Sequence, residues 1–339
     1  MSRPPTLADV ARVAGVSLAT ASRVLNSRAR PVGEPYRSKV LAAARSLGYA
    51  PNTLAQAVAR GSSNVLGLIV HDVTDPYFGA ITDGVTQAAE QSGLVVVLAV
   101  TRRDPERELD YLMVLRGQRA RAVILAGSRT TSAEANARLA TELEAFQATG
   151  GAAAAIAQNG LGIHTVVPLN RAGAHDLALA LHGLGHRRFA VLAGPQDLVT
   201  ALERLTGFLH GLESAGIDPG EVRVIPGAFT RDGGVEAARA LLAEGKPVTC
   251  VFAVNDVMAV GAMSEFRRSG VAIPGDLSIA GFDDIDTLQD VAPRLTSVRL
   301  PLEEMGAQAA RLALSRAEGA PTVVRFPGDV RLRQSVRRL

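Results

Sequence analysis

The chain has 339 residues, 47% of them hydrophobic, enough for two or three compact units with sizeable cores. No apolar run approaches the ~20 residues of a membrane helix, the opening "MSRPPTLADV" has no apolar leader segment, and the one cysteine, Cys250, cannot close an internal disulfide. The net charge is only +3, so a membrane span, an exported form and a disulfide scaffold are not expected, and a cytoplasmic globular protein is.

That charge is unevenly distributed. Residues 1–60 hold nine Arg and Lys against Asp9 and Glu34, and the remainder holds 27 basic residues against 31 acidic ones. A basic head on a mildly acidic body suits a polyanionic partner. Arg outnumbers Lys 34 to 2 along the whole chain. That bias explains Arg over Lys, but not the scarcity of acids in the head.

The head reads as three short helices. Thr6 and Asp9 make a capping-box-like start, and Leu7, Val10, Ala11 and Ala14 form a helical stripe. Gly15 can take a left-handed turn, with Val16 plugging the angle behind it. Ser17 is a natural N-cap for the second helix, whose inward stripe is Ala21, Val24 and Leu25. Leu18, Ala19, Ser22 and Arg23 therefore fall on another face. The third helix is expected over about 34–47, with Val40, Leu41, Ala44 and Leu47 inward and Gly48 as its stop. This is a helix-turn-helix pattern. In "YAPNTLAQAVARGSSN", Pro51 blocks continuation and Asn52 can cap a helix of about seven residues ending at Gly61. Such a helix is unstable alone and needs a partner helix, a nucleic acid or both. The plain alternative is a linker.

Beyond residue 61, apolar runs alternate with helical patterns. "NVLGLIVHD", "LVVVLAVT", "RAVILAG", "RFAVLAGP", "TCVFAVND" and "LSIAGFDD" read as strands near the middle of a sheet. "YFGAITDGVTQAAEQSG", "RELDYLMVLRGQ", "AGAHDLALALHGLG" and "VEAARALLAEG" read as helices. The alternation predicts an α/β fold of doubly wound parallel sheets, with ligands beyond the carboxyl ends of the strands. Those ends carry Asp72 to Asp75, Gly194-Pro195, Asn255-Asp256 and Asp283-Asp284.

Enzyme chemistry is not written there. There is no glycine-rich dinucleotide or phosphate loop and no Cys-x-x-Cys pair. His182 and His186 are four apart, but Gly183 and Gly185 interrupt a helix, so a metal pair is not expected. No histidine or third acid completes Asp283-Asp284 as a catalytic set. Cys250 reads as a small buried hydrophobe. Neither metal nor cofactor is called for.

"TLADVARVAGVSLATASRVLN", "VLAAARSLGYAPNTLA" and "IVHDVTDPYF" together resemble the lac repressor/gal repressor (LacI/GalR) family of bacterial transcription regulators, over nearly the whole chain. The resemblance implies a helix-turn-helix head at 1–50 and a hinge helix and linker at 51–61. It implies two periplasmic-binding-protein-type subdomains, 62–165 with 294–325 and 166–293 with 326–339, joined by crossovers near 165, 293 and 325. It also implies a cytoplasmic homodimer on a pseudo-palindromic double-stranded DNA operator, with a small-molecule effector, a carbohydrate by class, in the cleft. A repressor role goes with it, and induction and co-repression both remain open.

Carried over position by position, Leu18, Ala19 and Arg23 become base readers. Ser17, Thr20 and Ser22 become phosphate contacts, and Thr6, Asn26, Tyr49, Asn52, Leu54 and Ala55 further DNA contacts. Arg23 can pair bidentately with guanine, whereas Leu18 and Ala19 offer only apolar contact, as to a thymine methyl. The alternative for Leu18 is packing sideways on the third helix. Val58 stands where the family places a wedging Leu, so a shallower kink is expected. Gly33 and Tyr36 replace a capping Ser and a Thr, which puts one phosphate contact in question. The implied effector contacts are Tyr77, Phe78, Gln158, Thr200, Arg204, Phe229, Asn255 and Asp283. Arg204 and Asp283 would grip vicinal hydroxyls, and Phe229 would lie on an apolar ring face. For Tyr77 and Phe78 a core role competes.

Gln158 replaces a family Asp, Leu169 another Asp, and Leu300 a Gln. This favours a ligand with fewer hydroxyl contacts than a hexose, a nucleoside for example, or a lost effector response. Two other classes compete. A sugar-binding transport protein explains the body but not the head. A doubly wound enzyme lacks a fingerprint or a placed nucleophile.

Overall fold

The computed structural model describes residues 3, 5–26, 32–50, 61–315 and 319–339. It divides into two compact units, residues 1–63 and 64–339.

In the first unit, α1 (Leu7–Ala14) begins at the expected capping box. The Asp9 amide donates to the Thr6 hydroxyl, and the Asp9 carboxylate accepts from the Thr6 amide at 3.0 Å. Gly15 closes α1 in the left-handed region, at φ 66°. Ser17 caps α2 (Leu18–Asn26) by accepting from the Thr20 amide at 3.1 Å. Helix α3 (Glu34–Ser46) starts at Gly33 without a side-chain cap, as the absence of a Ser there requires. Val10, Ala11 and Ala14, Ala21, and Val40, Ala43 and Ala44 form the core, with Val16, Val24 and Leu25 packed on it. The expected hinge helix, with Asn52, Leu54, Ala55 and Val58, lies outside the described residues.

The second unit has two lobes. The first carries a six-stranded parallel sheet of order β11-β5-β4-β3-β1-β2: β1 (Val65–Val70), β2 (Val95–Val100), β3 (Ala122–Ala126), β4 (Ala152–Ile156), β5 (His164–Pro168) and β11 (Val323–Phe326). Its helices are α4 (Pro76–Gln91), α5 (Pro105–Gly117), α6 (Ala133–Ala148) and α11 (Leu302–Leu314). The second lobe has the order β12-β10-β9-β8-β6-β7: β6 (Phe189–Ala193), β7 (Arg223–Pro226), β8 (Cys250–Ala253), β9 (Ser278–Asp283), β10 (Thr296–Arg299) and the antiparallel β12 (Asp329–Arg331). Its helices are α7 (Asn170–Gly183), α8 (Val199–Ser214), α9 (Arg231–Ala243) and α10 (Asp256–Arg268).

Two expectations move. The chain passes between lobes after Pro168, after Arg299 and after Phe326, shifts of three, six and one residues from 165, 293 and 325. The second shift arises because Thr296 and Ser297 interrupt the apolar pattern, yet both are buried in β10, which pairs with β9. Strand β2 is an edge strand and not a central one, with Val95, Val97 and Leu98 exposed. An apolar run does not distinguish a strand covered on both faces from one left open. The thin alanine strand β4 has a use: α11 packs directly on it. Where α11 crosses α4, a Cβ on Gly84 would overlap the Glu303 carbonyl, so the crossing needs glycine.

Candidate functional site

The head offers a face on α2. Leu18 is 53% exposed, and Ala19 and Arg23 are also exposed. The Arg23 Nε donates to the Ala19 carbonyl at 3.2 Å, which lays the side chain back along the helix. Ser17 and Thr20 share a hydroxyl–hydroxyl bond of 2.9 Å, and Ser22 is half-buried. Tyr49 packs half-buried against the head core. The Thr6 hydroxyl donates to Asp9 at 2.7 Å, and this bond holds the Asp9 carboxyl down at about 2. The side chain of Asn26 is outside the description.

In the body, a cleft forms at the carboxyl ends of both sheets, as parallel α/β geometry directs. Its first wall is His71 after β1, then Asp75, Tyr77 and Phe78 at the start of α4, Arg103 after β2 and Ser128 after β3. Leu198, Thr200 and Arg204 on or before α8, Phe229, and Asp283 at the end of β9 form the other wall. Asp75 caps α4 by accepting from the Tyr77 amide at 3.0 Å, and burial raises its pKa.

The polar centre is Arg204, 2% exposed. Its guanidinium grips Asp283 through two bonds of 2.6 and 3.2 Å, donates to the Val254 carbonyl and to Asn170, and lies 4.0 Å over the Phe282 ring. Burial raises Asp283 to about 6 against the pull of Arg204. Asp283 and Asp284 both have positive φ, 111° and 57°. This sharp corner is held by Arg333, which donates to Asp284 at 2.8 Å.

His71 is buried between its neighbours. One ring nitrogen lies 2.9 Å from the Thr101 hydroxyl, the other 3.0 Å from the Ser128 carbonyl. The carbonyl can only accept, so Nε2 carries the proton and Nδ1 accepts from Thr101. Burial, then the Arg129 charge, pushes the imidazole down to about 4. Gly127 leaves room for it, since a Cβ there would overlap the ring.

The lobes are joined across the cleft by direct bonds. Thr130 and Leu198 form an antiparallel bridge, and the Thr200 amide donates to Ser128 at 2.9 Å. Gln158 accepts from the Arg129 amide and donates to Thr200 and Glu203, each at 3.0 Å. Arg103 donates to the Phe229 carbonyl at 3.2 Å. The inner cavity left behind is about 30 Å³, room for one or two waters.

Six of the eight expected effector contacts line this cavity: Tyr77, Phe78, Thr200, Arg204, Phe229 and Asp283. Gln158 stands behind Thr200 as a strap. Asn255 does not line it, because its side chain caps α10 by accepting from the Met258 amide. The Asn255 Nδ2 is buried with no partner among the described residues. Arg204 and Asp283 grip each other rather than standing free for hydroxyls. His71, Arg103, Ser128 and Leu198 were not anticipated, and Asp75 was named only as part of a strand end, not as an effector contact. His71 had a signal, a lone polar residue closing an apolar strand run; the lobe-to-lobe reach of Arg103 had none.

A three-helix head with a left-handed turn, joined in one chain to a two-lobed binding body, defines a helix-turn-helix regulator with a periplasmic-binding-type domain. Residues 6–52 match the family model "Bacterial regulatory proteins, lacI family", and residues 178–336 match "Periplasmic binding protein-like domain". The regulator GalS of Salmonella typhimurium is 37% identical over 316 residues, covering 93% of this chain and 90% of GalS. The lac repressor dimer bound to operator and the anti-inducer ONPF superposes with a TM-score of 0.81 at 27% identity, over 99% of this chain and 100% of that one. The CelR–cellobiose complex gives 0.70 at 31% identity, over 98% and 99%. The chain belongs to the LacI family of bacterial transcriptional regulators. It is a DNA-binding regulator and not an enzyme.

Proposed function

We propose that the protein is a cytoplasmic repressor that binds a pseudo-palindromic operator as a homodimer, with an affinity set by a sugar-class effector between the lobes. The observation that carries the regulatory part is the closed cleft. Six side chains of the implied ligand site surround a cavity of about 30 Å³, while Gln158, Thr200, Arg103 and Phe229 tie the lobes together. A sugar ring enters only if those ties open. Ligand-bound and ligand-free arrangements therefore differ, and a ligand that prefers one of them shifts the population. The Asn255 amide, buried and unsatisfied, adds a donor that an opened cleft can offer to a hydroxyl.

On DNA, Leu18, Ala19 and Arg23 read bases and Ser17, Thr20 and Ser22 hold phosphates. Thr6, Asn26 and Tyr49 add contacts, and Asn52, Leu54, Ala55 and Val58 act in the hinge. Dimerisation is supported by β2, an open edge with Val95, Val97 and Leu98 exposed, Val97 and Leu98 sharing a surface depression with the exposed Val114 of α5. An apolar edge of this kind calls for a covering partner.

The test has two parts. Selection from random duplex DNA yields a pseudo-palindrome that the full chain retards and a chain lacking residues 1–60 does not; equal retardation would sink the reading. A thermal-shift screen of sugars, sugar phosphates and nucleosides, with Phe229→Ala as control, identifies the effector class. A shift with a nucleoside alone would replace the sugar assignment.

A further inference from the structure

Beside the inner cavity lies a larger one, about 330 Å³, open between the same two lobes. His71, Arg103, Ser128 and Leu198 face both spaces, so the two adjoin. Small-ligand sites begin at about 300 Å³, so the outer chamber already has the room that the inner cleft lacks. Building on the effector reading above, we propose that this chamber is a second compartment of the effector site, taking an uncharged sugar ring. The effector is then of disaccharide size, one ring in the opened inner cleft and one in the chamber.

The lining has the chemistry for it. Pro105, Leu139, Pro195 and Leu198 supply an apolar wall for the C–H face of a ring. Asp104, Asn136 and Asp197 supply polar edges from both lobes. Arg129 is 6% exposed and committed to Glu108 by bonds of 2.9 and 2.8 Å. Its Nε is buried and has no partner among the described residues. A buried donor without a partner is costly, and a ligand hydroxyl or ring oxygen in the chamber would satisfy it. Two arginines face three carboxylates, Asp104, Glu108 and Asp197. A phosphate would meet that acidic excess, whereas a neutral sugar does not.

The experiment is isothermal calorimetry on the full chain with glucose, galactose, cellobiose, lactose and maltose. At least one disaccharide binds at least tenfold more tightly than either monosaccharide. Ala135→Phe, which fills the chamber from α6, abolishes that advantage and leaves monosaccharide affinity within threefold. Asp197→Tyr fills it from the other lobe and decides the matter if the first variant does not fold. A monosaccharide that binds as well as every disaccharide, or an advantage that survives both fillings, overturns the second compartment and leaves the inner site standing. Binding of none of these sugars overturns both.

Discussion

In the head, the α2 side chains assigned to base reading are those the core leaves over. Ala21, Val24 and Leu25 turn inward on α2, and Leu18, Ala19 and Arg23 remain outside. In the cleft the assigned side chains are engaged with the protein itself. Arg204 and Asp283 hold each other, Gln158 straps Thr200, and Asn255 caps a helix. A surface site reached by a rigid partner is preformed and separable from stability. A cleft that must open for its ligand makes binding compete with internal bonds, so the same residues carry stability and response together. Mutations should therefore separate the two functions in the head and fail to do so in the cleft.

The largest expected effect is at Arg204. Removing its guanidinium leaves Asp283 buried and unpaired, a loss on the order of 3–5 kcal/mol. Arg204→Ala should lower the urea midpoint strongly without any ligand present, and the double variant Arg204→Ala/Asp283→Ala should lose less than the sum of the two single changes. A single variant as stable as the parent would mean that the pair is not committed as described. His71 gives the next test. Its pKa lies near 4 in the folded state against 6.5 in the unfolded chain. The unfolded state thus binds a proton that the native state refuses between those values. Stability from His71 is complete above about pH 6.5 and is lost as pH falls towards 4, by about 3 kcal/mol over the window. Asp283, raised to about 6, acts in the opposite sense: its contribution is lost as pH rises from about 4 to 6. The His71 share is therefore read as the difference between the parent and His71→Gln. Parallel stability-against-pH curves for the two would remove the buried neutral imidazole from the account.

The same contrast explains what could be read before the fold was seen. The capping box at Thr6, the Gly15 turn, the Ser17 cap and the outward Leu18 are local, fixed by residues three or four apart. They were legible because helix periodicity decides them. The six strands named from the sequence are present, but the edge position of β2 depends on which strand pairs beside it, and that is a long-range fact. The crossing after Arg299 was hidden by Thr296 and Ser297, polar residues buried because the Arg333 backbone and the Asp256 carboxylate satisfy their hydroxyls from distant positions. Family motifs located six lining residues of the cleft. They did not disclose that Arg204 and Asp283 are already paired across 79 positions, or that Arg103 crosses to Phe229.

The smallest effect on the folded chain, and the sharpest on DNA, is expected at Arg23. Its side chain is exposed and its one described bond runs to a carbonyl of its own helix. Arg23→Ala should therefore shift head stability by no more than about 0.5 kcal/mol. A bidentate contact to guanine contributes about 1–3 kcal/mol of discrimination, so the variant should lose roughly tenfold to a hundredfold in operator affinity. Its affinity for unrelated duplex should change far less, because base contacts specify and phosphate contacts only position. Filter binding to the selected operator and to a scrambled duplex, at two salt concentrations, separates the cases. A uniform loss on both duplexes, with a salt slope shallower by about one, would make Arg23 a phosphate contact. The reading face of α2 would then be Leu18 and Ala19 alone, and specificity would have to come from apolar contact and DNA shape.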